Sequence, residues 1–355
     1  MAFITFNRAK LEHNYRYLDD LFKKHDIEWS IVSKMLCGNY DYVRILCETG
    51  IREICDARIS NLRMVKQINP EIQTVYIKPP AKRSIKSIVK YADVSFNTQI
   101  ETIQWLSEEA QRQNRLHKVV IMVEMGDLRE GVMGDELMGF YEQVFRLPNI
   151  EVVSFGTNLN CLHGVMPSHD KLIQLSLYKQ LVEAKFDRKI PYVTGGTSVV
   201  IPMIFNKQLP RGINHFRIGE TLYFGNNLFT MEPIKGMKSD VIMLYAEVIE
   251  LIEKPKVPMG EMEANPSGEV FEVNEGDYGK TSFRAILDLG LLDISPDFLI
   301  PEKRGIEIIG ASSDMIVLDL GDKPKLKVGD LVPFRLKYMG ALALMNSHYI
   351  EKKVV

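Results

Sequence analysis

A lysine follows an apolar segment near the beginning of the chain, in the sequence EWSIVSKMLCGN at residues 28–39. Residues 29–32 have the composition of a short buried strand, and Lys34 stands where that strand would open into a loop of small and polar residues. A lysine at such a place is either an ordinary surface residue or an amine that forms a Schiff base with a carbonyl compound. The groups that the rest of the chain brings near Lys34 decide between these interpretations.

Polar residues also follow other apolar segments between residues 28 and 220. Functional groups of a parallel barrel gather where its strands end, so these residues form one candidate site if the segments build such a barrel. They are Arg58, Asn97, Arg129, Asn158, the GGTS sequence at 195–198 and the RIGE sequence at 217–220. Each alone is compatible with a solvated loop, but their occurrence together with Lys34 favours a shared site.

Eight short strand-like segments alternate with helical patterns in this part of the chain. They are EWSIVSK (28–34), REICDAR (52–58), IQTVYIK (72–78), ADVSFNT (92–98), KVVIMVE (118–124), IEVVSFGT (150–157), IPYVTGG (190–196) and INHFRIGE (213–220). Strands that alternate with helices usually pair in parallel, and eight such units in roughly 200 residues are typical of a (β/α)8 barrel of the TIM type. An open doubly wound sheet is the alternative, but no G-x-G-x-x-G sequence follows the first segment.

The pattern changes near residue 235. Strand-like segments, including KVGDLVPFRLKYMGALALM at 327–345, then follow one another without helices and are separated by turns rich in Gly, Pro and Asp. We therefore predict an α/β barrel domain at residues 1–235 and a C-terminal all-β domain at residues 236–355.

Composition narrows the class of protein. The 355 residues are 46% hydrophobic and 25% charged, with a formal net charge of −2, which gives no basic surface for nucleic acid or an anionic membrane. The four cysteines form no C-x-x-C pair and the histidines have no metal-ligand spacing, so we predict reduced thiols and no metal site. The N-terminal sequence lacks the apolar region of a secretion signal, and we expect a soluble cytoplasmic protein.

Seven short sequences carry a resemblance to a known family. They are SKMLCGN, MGDLREGV, GTNLNCLHG, TGGTS, NHFRIGETLYFG, GASSD and LKYMGALAL. With these sequences in this order, the chain resembles the alanine racemase family, the fold-type III enzymes that use pyridoxal 5'-phosphate (PLP), and is most similar to its ornithine racemase-like branch. The resemblance implies a barrel, a β-domain and a head-to-tail homodimer in which each β-domain completes the active site of the partner.

The resemblance assigns the PLP-binding groups of the barrel. Lys34 matches the lysine that joins PLP through a Schiff base and moves one Cα proton. Ser198 and the backbone N–H groups of Gly219 and Glu220 match the groups that hold the phosphate, although GGTS also fits an ordinary turn between strand and helix. The tyrosine that many alanine racemases have four residues after the lysine is replaced here by Gly38, so the phosphate site must differ locally.

Arg217 matches the arginine that faces the ring nitrogen of PLP; an arginine in a surface ion pair is the alternative. A permanent cation there disfavours protonation of the nitrogen, makes the ring a weaker electron sink, and favours racemisation over side reactions. Decarboxylases of the same fold carry an E-P-G sequence where this chain has R-I-G. Asn158 falls where the family often has a histidine against the PLP ring.

Arg129 matches the arginine near the substrate carboxylate, which a planar guanidinium suits. An ion pair with Asp127 or Glu130 is the alternative. Some alanine racemases support this arginine with a carbamylated lysine seven positions earlier, but Met122 occupies that position. The support of Arg129 must therefore come from elsewhere.

Further candidates lie in the predicted β-domain. Ser313 and Asp314 match a loop that offers a backbone N–H to the substrate carboxylate across the dimer, or they form a simple turn. Tyr338 matches a tyrosine that lines the entrance and reaches the phosphate region, or it is a half-buried strand residue. We found no metal-ligand set in this domain that would serve a metal-assisted reaction.

The second proton carrier is the least defined group. Racemisation requires a proton donor and acceptor on each face of the planar carbanion, and Lys34 serves only one face. Tyr278 is the best match to the tyrosine that the family supplies from the partner, but the family spacing GDxxxYG is shortened to GDYG. Cys161 and His163 are the alternatives.

The sequence therefore predicts a PLP-dependent amino-acid racemase, an isomerase that interconverts the L- and D-forms of a basic amino acid such as ornithine or lysine. Four alternatives remain open at this point. They are an alanine or serine racemase, another fold-type III reaction such as decarboxylation, aldol cleavage or dehydration, a PLP-binding homeostasis protein without turnover, and a structural protein without a cofactor. Arg217 argues against decarboxylation, and the predicted β-domain argues against the homeostasis proteins, which resemble the barrel alone.

Overall fold

The computed structural model describes residues 2–264, 268 and 270–355. Its strands, numbered along the chain, are β1 (Phe3–Phe6), β2 (Glu28–Val32), β3 (Glu53–Asp56), β4 (Gln73–Tyr76), β5 (Val94–Asn97), β6 (His117–Met122), β7 (Ile150–Gly156), β8 (Tyr192–Thr194), β9 (Gly196–Thr197), β10 (His215–Ile218), β11 (Ile242–Pro255), β12 (Thr281–Leu287), β13 (Leu299–Pro301), β14 (Glu307–Ala311), β15 (Ile316–Asp319), β16 (Leu331–Leu336) and β17 (Glu351–Val354). Its α-helices are α1 (Arg8–Lys23), α2 (Tyr40–Glu48), α3 (Ile59–Ile68), α4 (Ile85–Tyr91), α5 (Ile100–Arg112), α6 (Leu137–Val144), α7 (His169–Phe186), α8 (Ile201–Phe205), α9 (Glu220–Phe224) and α10 (Tyr338–Asn346).

The unit Asn7–Val241 is built on a parallel sheet of nine strands. The strands pair in the order β8-β7-β6-β5-β4-β3-β2-β10-β9. Only Gly195 separates β8 from β9, so the two edges of the sheet are consecutive parts of one segment and the sheet closes into a barrel. Each of the eight predicted segments contains a strand of this barrel, which confirms the predicted (β/α)8 fold and excludes the open sheet.

Side chains alternate along each strand between the barrel interior and the surrounding helices. Val32 packs against an interior cluster formed by Cys55 on β3, Phe96 on β5 and their neighbours. The thiol of Cys55 donates to the hydroxyl of Ser30 at 3.1 Å, so Ser30 and Val32 both face inward. Lys34 continues the same alternation beyond the end of β2, and the sequence pattern thus directs it toward the barrel axis.

The second unit joins the stretch ending at Phe6 to Ile242–Val355. Its antiparallel strands pair in the order β13-β16-β11-β12-β15-β14, and β1 pairs with both β11 and β17. This sheet confirms the predicted all-β character of the C-terminal part. The segment from Tyr338 to Asn346 differs, because it forms helix α10 where we expected a continuous strand-like stretch. Its Ala, Leu and Met residues have high helix propensity, and the strand β16 ends two residues before it.

The structure also bears on the cysteines and on membrane association. All four cysteines are free thiols. Among the residues that the structure describes, no helix has both the length and the apolar composition needed to cross a bilayer.

Candidate active site

Lys34 begins a tight loop at the carboxyl end of β2. A 3-10 turn covers Lys34–Leu36, and Cys37 and Gly38 then adopt left-handed backbone conformations with φ of 49° and 73°. A Cβ atom on Gly38 would lie 2.5 Å from Oδ1 of Asn61. The backbone conformation and this close approach together favour glycine over a residue with a side chain at position 38.

A buried carboxylate anchors this loop. Asp56, at the end of β3, accepts the hydroxyl proton of Ser33 at 2.7 Å, the N–H of Arg58 at 2.8 Å and the amide of Asn61 at 3.2 Å. Burial raises the pKa of Asp56, and these donors oppose the rise. Our sequence reasoning selected Arg58 and missed Asp56, although a carboxylate at the end of a buried strand in REICDAR was a visible signal.

The surroundings of Lys34 disfavour its charged form. Partial loss of solvation lowers the pKa of Lys34, and the positive charges of Arg129 and Arg217 lower it further, whereas Cys161 and Asp56 act in the opposite direction. The side chain is nevertheless exposed at the carboxyl ends of the barrel strands, which we call the mouth of the barrel. Lys34 is therefore a reachable amine that is closer to its neutral, nucleophilic form than an ordinary surface lysine.

Arg217 lies on β10 with 5% of its surface exposed. Its Nε donates to Oγ1 of Thr194 at 2.9 Å, Nη1 donates to Oδ1 of Asn158 at 2.8 Å, and Nη2 donates to the carbonyl oxygens of Thr157 at 2.6 Å and Thr194 at 3.2 Å. The guanidinium also lies over the ring of Phe96, 5.1 Å from its centroid. Burial lowers the pKa of Arg217, but a guanidinium with such contacts stays protonated. The alternative of a surface ion pair is therefore wrong.

Glu130 supplies the support of Arg129. Its Oε1 accepts a hydrogen bond from Nη2 of Arg129 at 2.6 Å and another from Nδ2 of Asn158 at 2.5 Å, and its Oε2 accepts from Nε of Arg129. Asn158 thus connects the arginine of β10 to Glu130 and Arg129. The sequence had offered Glu130 only as an ion-pair partner for Arg129, and its contact with Asn158 could not be read from the chain.

Asp127, the other partner considered for Arg129, holds the neighbouring loop. Its carboxylate accepts the backbone N–H groups of Cys161, Leu162, His163 and Val165 at 2.9 to 3.2 Å. Burial alone would raise the pKa of Asp127, but these four donors outweigh it and the pKa is lowered. The loop that carries Cys161 is therefore fixed close enough to Lys34 for Cys161 to act on the pKa of the lysine, in the upward direction.

Ser198 and Gly219 lie at neighbouring strand ends. Ser198 is buried and its hydroxyl accepts the N–H of Thr221 at 3.2 Å, which leaves the hydroxyl proton as a donor. A Cβ atom on Gly219 would lie 3.3 Å from Cβ of Val32, so glycine lets the backbone pass close to the strand that carries the lysine. The structure thus brings two predicted phosphate-binding positions together.

Glu220 begins α9 next to these residues. Burial raises the pKa of Glu220, and the ammonium group of Lys34 opposes this rise. The sequence had assigned only the backbone N–H of Glu220 to the site. Its carboxylate is a further negative group within electrostatic range of Lys34.

The remaining predicted residues belong to the second unit. Ser313 and Asp314 lie in the exposed turn between β14 and β15, where the hydroxyl of Ser313 donates to the carboxylate of Asp314 at 2.7 Å. Leu292 donates its N–H to the carbonyl of Ser313 at 3.0 Å, and a Cβ atom on Gly290 would lie 2.3 Å from that carbonyl oxygen. The turn is therefore held in one conformation by its contact with a neighbouring loop.

The two tyrosines of the second unit differ in position. Tyr278 follows the 3-10 turn Glu275–Asp277 and is 65% exposed. Tyr338 is half-buried at the first position of α10, and not in a strand. The barrel unit thus assembles Lys34 with the two arginines, whereas these tyrosines stand on a separate unit of the chain.

Comparison with known proteins gives consistent findings. A family model described as "Alanine racemase, N-terminal domain" matches residues 6–227. The ornithine racemase of Acetoanaerobium sticklandii is 34% identical over 354 residues, which cover 99% of each chain. The lysine racemase of Thermotoga maritima is 30% identical over 349 residues, covering 98% of this chain and 97% of that protein.

Solved structures share the fold over the whole chain. An alanine racemase from Bartonella henselae with covalently bound pyridoxal phosphate has a TM-score of 0.75 at 18% identity, covering 100% of this chain and 99% of that chain. An alanine racemase from Clostridium difficile 630 has a TM-score of 0.73 at 14% identity, covering 100% and 95% of the two chains. At these identities the likeness extends to the fold and no further.

Proposed function

This chain belongs to the alanine racemase family, and from that premise we propose that it is a PLP-dependent racemase of a basic amino acid. Relatives named ornithine racemase and lysine racemase match both of its units, at 34% and 30% identity. The observation within the structure that carries the proposal is that Lys34, just beyond the carboxyl end of β2, lies within electrostatic range of Arg129 and Arg217, whose charges lower its pKa.

The residues at the mouth fit PLP. Four of the five N–H groups of Arg217 donate to oxygens of the described residues, and the fifth, on Nη1, matches the lone pair of a pyridine nitrogen. Lys34 is an amine with a lowered pKa, which suits addition to the aldehyde, and Ser198 offers a hydroxyl donor to the phosphate. When bound, PLP draws electrons from the Cα atom of an attached amine, so that the Cα proton becomes removable.

Each residue of the mouth has a role in this scheme. Lys34 carries the proton on one face of Cα. Arg217, as a permanent cation, keeps the ring nitrogen unprotonated and so limits side reactions. Arg129, held by Glu130, would bind the substrate carboxylate, and Asn158 would contact the cofactor ring. Gly219 and Glu220 contribute backbone N–H groups to the phosphate.

Two side chains are candidates for the proton carrier on the other face. Tyr278 is the candidate from the family resemblance, and its exposure leaves it accessible to a second subunit. Cys161 is supported by its electrostatic effect on Lys34, and the neighbouring His163 turns Nδ1 to the carbonyl of Asp127 at 2.9 Å. Tyr278→Phe and Cys161→Ser distinguish them, because loss of the true carrier stops inversion but leaves Cα exchange by Lys34.

We extend the proposal to the assembly. In a head-to-tail homodimer, Tyr278, Ser313, Asp314 and Tyr338 of one subunit would complete the mouth of the other, and we expect this dimer in the cytoplasm. Sedimentation of an equimolar mixture of Lys34→Ala and Tyr278→Phe proteins, followed by assay, tests the shared site. If Tyr278 acts across the dimer, the mixture regains activity. In each mixed dimer, one active site then combines the intact Lys34 of the Tyr278→Phe subunit with the intact Tyr278 of the Lys34→Ala subunit.

The proposed activity is tested with PLP-reconstituted protein and a panel of L-ornithine, L-lysine, L-arginine, L-alanine and L-serine. We expect the D-enantiomer of ornithine or lysine by chiral chromatography, with alanine and serine converted far more slowly. Preferred conversion of alanine or serine would contradict the substrate class. Release of carbon dioxide or an aldehyde in place of the D-enantiomer would contradict racemisation itself.

A further inference from the structure

Arg217 is also held from the opposite end of the barrel. Its Nε donates to Oγ1 of Thr194 at 2.9 Å, and that oxygen lies 2.8 Å from Nδ1 of His215. Nε2 of His215 lies 3.2 Å from Oε1 of Glu53. Glu53 and His215 are the first residues of β3 and β10, so this chain of contacts runs from the guanidinium toward the amino ends of the strands.

This chain of hydrogen bonds follows the wall of a cavity. A space of about 140 Å³ lies inside the barrel, and Arg217, Thr194, His215 and Glu53 all line it. Ser154 lines the same cavity, but its hydroxyl donates to the carbonyl of Phe155 at 2.9 Å. Ser154 is therefore a neighbour of the chain that takes no part in it.

When His215 is neutral, one assignment of protons gives every donor and acceptor in this chain of hydrogen bonds a partner. The guanidinium can only donate, so Oγ1 of Thr194 accepts from Arg217, and the buried Thr194 hydroxyl must then donate its own proton. Nδ1 of His215 accepts that proton when the histidine is neutral, and the hydrogen on Nε2 then points at Glu53. The chain thus has one direction, from the guanidinium to the carboxylate, without an unsatisfied donor or acceptor.

Glu53 is held as an anion at the end of the chain. Burial by itself would raise the pKa of Glu53, but its contact with His215 and the hydrogen bonds of Gln73 and Ser30 outweigh it and lower the pKa. Nε2 of Gln73 donates to Oε2 of Glu53 at 2.5 Å, while His215 contacts Oε1. Both carboxylate oxygens are therefore fixed.

The four hydrogen bonds of Arg217 all reach neutral oxygens, so its charge is balanced at a distance. On the mouth side, Asn158 links the guanidinium to Glu130. On the opposite side, Thr194 and His215 link it to Glu53. Hydrogen bonds in such a chain polarise one another, which lets a carboxylate act on a cation it does not touch.

We propose that His215 and Glu53 are positioning residues that, through Thr194, fix the orientation of the Arg217 guanidinium and hence its hydrogen bond to the cofactor ring nitrogen. This inference rests on the proposed function for the identity of the ring. The chain of hydrogen bonds from Arg217 to Glu53 is a property of the protein alone, so it can be tested without cofactor.

The first experiment uses cofactor-free protein with ¹⁵N-labelled histidine. The NMR signals of the neutral His215 imidazole should show the proton on Nε2 and Nδ1 as an acceptor. Thr194→Val should shift the Nδ1 signal, Thr194→Ser should restore it, and Ser154→Ala should leave it unchanged. A proton on Nδ1, or no response to Thr194→Val, would overturn the proposed direction of the chain.

The second experiment uses PLP labelled with ¹⁵N in the ring, bound to the same proteins. Glu53→Gln, His215→Phe and Thr194→Val should move the ring ¹⁵N resonance, and Thr194→Ser and Ser154→Ala should not. We expect kcat to fall by about 10- to 100-fold in the first three variants, the range typical of outer partners of a functional group, with little change in KM. If His215→Phe fails to fold, Thr194→Val breaks the same link between His215 and Arg217, and Thr194→Ser, which keeps the hydroxyl, is its control.

The outcomes separate this inference from the proposed function. An unchanged ring resonance in folded Glu53→Gln and Thr194→Val protein would overturn the positioning role, even if racemase activity is found. A shifted resonance in a protein that racemises no amino acid would support the positioning role and contradict the proposed function.

Discussion

The two ends of the barrel hold the same arginine in different ways. At the mouth, Arg217 is linked through Asn158 to Glu130 and Arg129, and the Arg129 side chain is 37% exposed. At the opposite end it is linked through Thr194 to His215 and Glu53, whose side chains are 12% and 16% exposed. The mouth must admit a substrate, so part of its network stays open, whereas the opposite end has no such demand.

This difference assigns different tasks to the two networks. Groups at the mouth can contact a substrate and should affect how tightly it binds. Groups at the opposite end contact only the protein and should affect how well Arg217 is oriented once the substrate is bound. Substitutions at the two ends should therefore change different kinetic constants.

Lys34→Ala should have the largest effect. In the proposed mechanism, loss of the amine removes both covalent attachment of PLP and proton transfer on one face, so we expect Cα exchange to fall by at least about 1,000-fold. The melting temperature of the cofactor-free protein should stay unchanged, because Lys34 is exposed at the mouth. Absorbance of reconstituted protein and Cα exchange by NMR provide the measurements. Exchange at the wild-type rate in the variant would refute the role of Lys34.

Arg217→Glu should have the second largest effect on activity, because it disrupts both networks at once. The substitution replaces a cation with a carboxylate that permits protonation of the ring nitrogen, and we expect racemisation to slow by about 100-fold or more. Arg217→Lys, the matched control, keeps the charge but loses the planar fork. Its rate of racemisation should lie between those of the wild type and Arg217→Glu. Steady-state kinetics on protein shown by circular dichroism to be folded would check this order. An equal rate in all three proteins would contradict it.

Glu130→Gln should distinguish the kinetic role of the network at the mouth from that of the network at the opposite end. The substitution keeps the size and the contact with Asn158 but removes the charge that holds Arg129, so we expect KM to rise about tenfold with a smaller change in kcat. Glu53→Gln is the matched substitution at the opposite end and should lower kcat with little effect on KM. The comparison fails if the two variants change the same constant.

Asp127→Asn should have the smallest effect on chemistry and a measurable effect on stability. The pKa of Asp127 is lower in the folded protein than its ordinary value of 3.8, so its contribution is complete above about pH 5 and is lost as the pH falls through the lowered value. We expect the variant to lose about 1 kcal/mol of unfolding free energy at pH 7 and progressively less at acid pH. Urea unfolding at several pH values measures this, and a loss that is the same at all pH values would exclude the charge as its cause.

The sequence was most informative where a feature is local. Eight alternating strand patterns predicted the barrel, and the end of one of them marked Lys34. The pairing of β1 with β11 and β17 was not predictable, because it joins residues more than 200 positions apart. Helix α10 was missed because its apolar residues show no clear period.

The networks around Arg217 were hidden for the same reason. Glu53 and His215 lie on β3 and β10, which are separated by β2 in the sheet, so neither pattern nor strand pairing brings them together. Asn158 and Glu130 meet between two loops, and loop geometry leaves no periodic signal. Family resemblance singled out the two arginines as candidates, but the groups that hold them could be found only in the three-dimensional structure.

The most direct measurement follows L-ornithine in D2O with PLP-loaded protein and quantifies deuterium at Cα in each enantiomer over time. If two carriers act on opposite faces, newly formed D-ornithine carries deuterium while the remaining L-ornithine stays mostly protiated. Deuterium that accumulates in L-ornithine without inversion would contradict the two-base racemase. The absence of exchange in ornithine and lysine, with PLP bound, would contradict the proposed function as a whole.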